Sequence, residues 1–280
     1  MSRLRVFALT SIAMLAFAGN SLLCRLALRS TAIDPATFTA VRLASGAAML
    51  SLLVRLRREA ASGRGSWPSA LALFAYAAGF SFAYVSLSAA TGALLLFGAV
   101  QATMIGVGVL RGERLRAAQF AGLVLALSGL IGLLLPGLTA PPAGAAVLML
   151  GAGVAWGIYS LRGRDAGDPT RVTAGNFLRA APLGLLCALP WLFRATPDPV
   201  GVGYAIVSGA LASGVGYAIW YSVVPELKAA RGAVVQLCVP VIATLGGAAL
   251  LGETITLRVV VASATILGGI ALVVASAPRR

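Results

Sequence analysis

The chain has no histidine, only three cysteines and only eight carboxylates among 280 residues. Without histidine the commonest proton relay and the commonest metal ligand are missing. The cysteines, Cys24, Cys187 and Cys238, are odd in number, lie inside apolar runs and form no CxxC pair. Neither a disulfide framework nor a zinc site follows. Asp34, Glu59, Glu113, Asp165, Asp168, Asp198, Glu226 and Glu253 all fall in turns or at expected helix ends, so no acid is placed deep in an apolar segment. Charged residues make up 11%, against about 25% in a soluble domain, too few to cover a globular core in water. Long polar tracts are lacking, which argues against disorder and leaves no segment for a soluble catalytic domain.

What remains is 59% hydrophobic with a mean hydropathy of +0.94, and the chain reads as an all-α integral membrane protein. A spanning helix takes about 20 apolar residues. Apolar runs between charged and Pro/Gly breaks predict ten transmembrane helices, near 5–28, 35–54, 68–88, 91–110, 116–135, 143–161, 172–193, 200–222, 231–251 and 257–277. The first twenty residues, with Arg3, Arg5 and then Ala16-Phe17-Ala18, resemble a secretory leader. The apolar run continues to Leu28, however, and is read as the first span. Small residues four apart, such as Gly98, Ala102 and Gly106, or Gly209 and Ser213, predict close helix packing.

The net charge of +14 does not point to nucleic acid, because the 22 basic residues are spread along the loops. Sixteen fall at the N-terminus, the even-numbered loops and the C-terminus, while the odd loops carry only Arg29, Arg194 and Arg258. The positive-inside rule then places both termini in the cytoplasm. Arg25, Arg42 and Arg179 lie within spans.

The two halves of the chain resemble each other. Asp34-Pro35 with Thr39-Ala40 recurs as Asp168-Pro169 with Thr173-Ala174, at an offset of 134. Gly92-Ala93 recurs as Gly232-Ala233 and Gly112-Glu113 as Gly252-Glu253, both at 140; Ala16, Phe17 and Ser21 recur as Ala155, Trp156 and Ser160 at 139. Five helices per copy is an odd number, so the second copy enters the membrane from the opposite face. Matching loops accordingly carry opposite basic bias. Residues 1–138 and 139–280 are therefore expected to be inverted repeats, a signature of secondary transporters whose site lies near the midplane between the copies.

The stretch Ala229 to Leu251, AARGAVVQLCVPVIATLGGAALL, followed by Gly252-Glu253-Thr254, resembles the EamA repeat of the drug/metabolite transporter superfamily. Gly112-Glu113-Arg114 with Gln119, Gly122 and Gly129 does so too, as does DPATFTAVRLASG from Asp34 to Gly46. The aromatic lining described next makes the chain resemble, within that superfamily, the bacterial aromatic amino-acid exporters of the YddG type. The resemblance implies ten helices in one subunit, a central cavity and export of amino acids or similar metabolites.

Polar and aromatic residues inside spans carry the candidate site, since polar groups in lipid are costly and face the bundle interior. Phe17, Asn20 and Ser21 share one stripe of the first helix, and Trp156 and Tyr159 occupy the same phase of its counterpart. Tyr76 and Phe80 are chosen from the third helix and Trp220 from the eighth; Tyr84 and Tyr221, near helix ends, read as interfacial anchors. Gln101 and Gln236 are mid-span amides. Arg25 is expected to snorkel outward. Arg42 or Arg179 would hold a substrate carboxylate, with Asn20, Asn176 or the glutamines taking its ammonium. Glu113 and Glu253 are read as structural caps of the helices that follow them.

The expectation is an inner-membrane exporter of aromatic and other apolar amino acids that alternates access to a midplane cavity. It is expected to act as a monomer, to use no cofactor or metal, to bind small molecules and lipid rather than nucleic acid, and to be driven by substrate gradients. Export of drugs or anionic metabolites is the alternative; a channel or an intramembrane enzyme is remote, since the enzyme would need a nucleophile with a base or paired acids.

Overall fold

The computed structural model describes residues 1–57, 63–112, 115–137, 140–163, 167–192, 198–223, 226–227 and 235–276. Among them the regular structure is helical: α1 Arg3–Ser30, α2 Pro35–Leu56, α3 Trp67–Tyr84, α4 Ala89–Leu110, α5 Ala117–Leu134, α6 Ala143–Arg162, α7 Pro169–Leu192, α8 Pro199–Val223, α9 Cys238–Leu251 and α10 Leu257–Ala275. Eight of these, all but α3 and α9, are long and apolar enough to cross a membrane, and α9 is a shorter apolar helix of 14 described residues. The chain is a multi-pass membrane protein. Its outer face agrees, with Phe7 71%, Leu110 87% and Leu250 73% exposed, a surface that only lipid makes inexpensive.

Helix starts follow from local chemistry. Asp34 Oδ1 accepts from the Ala36 and Thr37 amides ahead of Pro35, and Asp198 Oδ1 accepts from Val200 and Gly201 ahead of Pro199. Ser66, Ser88 and Thr256 cap α3, α4 and α10. Each cap satisfies amides that the first turn leaves unpaired, and proline in that turn has no amide to satisfy.

Along the bundle, α2 packs on α7 and α5 on α10, while α6 packs on α3 and α4, and α1 on α8 and α9. Glycines set the closest approaches. A Cβ at Gly122 of α5 would come within 2.6 Å of the Gly269 carbonyl of α10, and one at Gly153 of α6 within 2.6 Å of the Leu96 carbonyl of α4. Gly209 of α8 lies so near the Arg42 carbonyl and Ser45 of α2 that no side chain fits. The Gly98 stripe expected to pack tightly does not: Gly98 has ordinary contacts and Gly106 faces open space.

One departure from the expected regularity positions the site. Within α8, Ser208–Val215 is π-helical. The wider turn re-aims successive side chains and brings Ser208, Ala212 and Ser213 inward.

Candidate functional site

Between α1, α3, α4, α6, α8 and the segment before α9 lies an aromatic cavity. Its wall includes Phe17, Asn20 and Ser21 from α1, Tyr76 and Phe80 from α3, and Trp156 from α6, with Gln236 beyond α8. Leu96, Phe97, Ala212 and Tyr217 complete it. The free volume is about 30 Å³, room for one or two waters, so a metabolite can be held only after the walls part.

The rings pack edge to face or tilted. Tyr76 stands 4.8 Å from Trp156 and 5.4 Å from Phe80, Trp156 lies 5.2 Å from Tyr217, and Phe17 meets Tyr217 at 5.7 Å. These separations suit aromatic pairs. Seven of the expected residues thus meet around one space.

Polar groups form a short chain behind and within that wall. Ser208 Oγ donates to Asn20 Oδ1 at 2.6 Å, and Asn20 Nδ2 donates to the Tyr76 hydroxyl at 3.3 Å. Arg42 Nη2 donates to the same hydroxyl at 2.9 Å, and Arg42 Nε to Ser213 Oγ at 3.4 Å. The guanidinium lies over the Tyr76 and Phe80 rings, 5.1 and 4.9 Å from their centroids. Arg42 therefore sits one side chain behind the cavity wall, only 1% exposed, and its Nη1 is buried without a hydrogen-bond partner among the described residues. A cation held by neutral partners, with a donor to spare, is an arrangement suited to an anionic ligand.

The remaining expected residues stand elsewhere. Tyr159 lies behind Trp156, stacked at 5.2 Å. Asn176 donates to the Tyr159 hydroxyl and accepts from the Ser66 amide at 2.8 Å, so it fastens the segment before α3. Arg179, expected to be as available as Arg42, donates to the Arg64 and Gly175 carbonyls at 2.6 and 2.8 Å and does not line the cavity. Gln101 faces a separate crevice among α4, α5 and α10. Trp220 backs Phe17 at 5.9 Å, while its neighbour Tyr217 occupies the wall. Phe97 was not expected; an aromatic residue mid-span beside Gln101 was its only sequence signal.

At one end of the cavity, beyond Ser21, a partly buried clamp joins the first helices to the α9–α10 turn. Arg25 Nε pairs with Glu253 Oε1 at 3.0 Å, and Arg25 Nη1 donates to the Tyr84 and Val85 carbonyls. Glu253 Oε2 accepts from the Ala89 amide at 2.8 Å, and Arg29 Nη1 donates to the Leu251 carbonyl at 2.8 Å. Arg25 is thus paired rather than snorkelling. Glu253 caps α4 across the bundle rather than the α10 that follows it, because Gly252 takes a left-handed turn, φ 62°. Glu113, its counterpart, lies outside the described residues. Among the described residues no three of His, Cys, Asp and Glu converge as a metal site would require.

Comparison with known proteins agrees with this architecture. Residues 143–275 match the EamA-like transporter family. An uncharacterized protein of Pseudomonas aeruginosa is 58% identical over 97% of this chain and 95% of its own length. An uncharacterized transporter of Archaeoglobus fulgidus is 30% identical over 58% of this chain and 59% of its own. The threonine/homoserine exporter RhtA of Escherichia coli K12 is 33% identical, a match that spans 39% of this chain and 38% of the exporter. A protein of known crystal structure superposes with a TM-score of 0.67 over 97% of this chain and 98% of its own; at 22% identity it bears on the fold alone. Through residues 143–275 the chain belongs to the EamA-like transporter family.

Proposed function

We propose that the protein exports amino acids or related small carboxylates, those with apolar or aromatic side chains first, by alternating access through the aromatic cavity. The observation that carries this reading is Arg42: a buried guanidinium with an unpartnered Nη1, placed against Tyr76 and Phe80 of the cavity wall. A carboxylate satisfies it, and the rings of Phe17, Trp156 and Tyr217 offer stacking and area burial to a flat side chain. Similarity to an exporter named for threonine and homoserine supports the amino-acid class; the aromatic preference, and with it the likeness to YddG-type exporters, rests on the wall alone.

The mechanism follows from ten crossings arranged as inverted repeats, 1–138 and 139–280. Helix packing supports it. Exchanging each of α1–α5 with the helix five places on turns α3 on α6 into α8 on α1, and α4 on α6 into α9 on α1, and returns α2 on α7 and α5 on α10 unchanged. Rocking of one half against the other would open one end of the cavity and close the other. The Arg25–Glu253 clamp then seals the end that the basic-residue bias assigns to the outside of an inner membrane whose cytoplasmic face holds both termini. In this reading the protein acts as a monomer, uses no cofactor and leaves its cargo chemically unchanged.

The test is flux in liposomes holding the purified protein, with all amino acids as competitors, with and without a pH gradient. Saturable, competable flux that persists without the gradient and is lost in Arg42→Gln is expected. Flux and affinity unchanged in Arg42→Gln would remove the reading.

A further inference from the structure

The charge of Arg42 has a consequence for what the site can take. Every described partner of the guanidinium is neutral: Ser213, the Tyr76 hydroxyl and the rings of Tyr76 and Phe80. The acids among the described residues are engaged at helix ends. Asp34, Asp168 and Asp198 accept from first-turn amides of α2, α7 and α8; Glu253 is held by Arg25; and Glu226 meets the N-terminal amine at 3.3 Å. Among the described residues no carboxylate lines the cavity.

The Tyr76 hydroxyl accepts from both Arg42 and Asn20, and its own proton has no acceptor among the described residues. The cluster at the wall therefore offers donors without an acceptor and a full positive charge without a counterion, both costly in a low-dielectric interior. A ligand carboxylate supplies the acceptor and the counterion together. A zwitterion supplies them and then adds an ammonium a few ångströms away, which restores the uncompensated charge in a wall whose other polar groups, Asn20, Ser21 and Gln236, are neutral.

We propose that the preferred cargo is a small monocarboxylate that lacks an ammonium group, such as an aromatic 2-oxo acid, ahead of the amino acid with the same side chain. It leaves the cell as an anion. This rests on the reading of Arg42 as the carboxylate anchor. A monoanion moving outward across a membrane that is negative inside is driven by the potential itself, about tenfold in concentration ratio for each 60 mV. Export then needs no membrane-embedded proton carrier, which matches a chain without histidine and without a mid-span acid.

Phenylpyruvate and phenylalanine, alike in ring and carboxylate, are the probes. Ligand-induced thermal shifts of the detergent-purified protein give binding. Efflux of each labelled probe from proteoliposomes at equal internal and external pH, with a potassium gradient and valinomycin setting the potential, gives charge movement. The expected results are half-saturation by phenylpyruvate at a concentration at least tenfold below that of phenylalanine, efflux of phenylpyruvate that rises with inside-negative potential, and loss of both effects in Arg42→Gln with partial retention in Arg42→Lys. Equal or tighter binding of phenylalanine, no response to phenylpyruvate, or efflux indifferent to the potential would each overturn the proposal. If phenylalanine proves the better cargo and depends on Arg42, the anion preference fails while the anchor stands. If both Arg42 variants, folded by their thermal midpoints, transport like the wild type, the anchor itself fails.

Discussion

Glu253 joins two helices that are far apart in sequence, and its removal in two steps separates charge from capping. Glu253→Gln keeps an oxygen for the Ala89 amide and loses the charge that pairs with Arg25; Glu253→Ala loses both. A lost cap costs about 1 kcal/mol. Breaking a buried ion pair costs about 3–5 kcal/mol, and the lower end applies because Arg25 keeps the carbonyls of Tyr84 and Val85 at 2.9 and 3.0 Å and the pair is 14% and 9% exposed. The alanine variant should therefore lose about 4 kcal/mol and the glutamine variant about 3. At about 2–4 °C per kcal/mol for a chain of this order of size, the thermal midpoints should fall by about 8–16 °C and about 6–12 °C. Tryptophan fluorescence during heating in one detergent at one scan rate measures both. Equal losses in the two variants, or a loss under about 1 kcal/mol in the alanine variant, would refute this account of the clamp. Ser21→Cys, one turn inward from Arg25, should also react faster with an impermeant thiol reagent from outside when combined with Glu253→Gln.

Other perturbations follow from the same geometry. Tyr76→Phe leaves Arg42 Nη2 and Asn20 Nδ2 without their acceptor, so it should destabilise by about 1–3 kcal/mol and raise the half-saturating concentration of a carboxylate cargo about tenfold, read by thermal shift. Gly209→Ala drives a Cβ into the Arg42 carbonyl and should cost about 1–3 kcal/mol, whereas Gly203→Ala, with nothing within 4 Å, should stabilise by about 0.4–1 kcal/mol; thermal midpoints compare them. The Asp198 carboxyl, outside the spans, is held below the ordinary value of 3.8 by the amides of Ala32 and Gly201. A lowered value means stabilisation that is present above the unfolded value and lost as pH falls through the folded one, so the wild type should lose more of its midpoint in acid than Asp198→Asn. In a cysteine-free background, Ala32→Cys should be labelled from outside intact cells and Ser62→Cys only after permeabilisation.

Much of the fold was legible because lipid imposes one rule on every segment. Charge and Pro/Gly breaks located α1, α2 and α4 to within a few residues, since Asp34 and Ser88 cap helices wherever they stand before an apolar run. Less visible was the π-helical stretch of α8. Its residues, Ser208–Val215, have no composition that separates π from α turns; the close contact of Gly209 with the Arg42 carbonyl accompanies it. Read as a regular α-helix, the aromatic stripe of α8 puts Trp220 forward for the cavity. The structure seats Tyr217 in the wall and Trp220 behind Phe17.

Arg42 and Arg179 show why site residues are harder to read than spans. Arg42 stands about two turns, and Arg179 about three, inside a helix that begins with an acid and a proline, so depth does not single out Arg42. What separates them is the neighbouring backbone. Close packing at Gly175 leaves Arg179 beside the Arg64 and Gly175 carbonyls, which both accept from its Nη1; among the described residues no such carbonyl meets Nη1 of Arg42. At the repeat offset of 134 the counterpart of Arg42 is not Arg179 but Asn176. Both reach a tyrosine hydroxyl, Tyr76 for one and Tyr159 for the other, but only one carries charge. On the proposed inverted repeat the cavity is therefore symmetric in shape and unsymmetric in potential. A bound anion then stays closer to the α2 copy than to the α7 copy in both open states, so the concentration at which the carrier saturates should differ between its two faces, while the direction of net movement stays with the gradient and the potential.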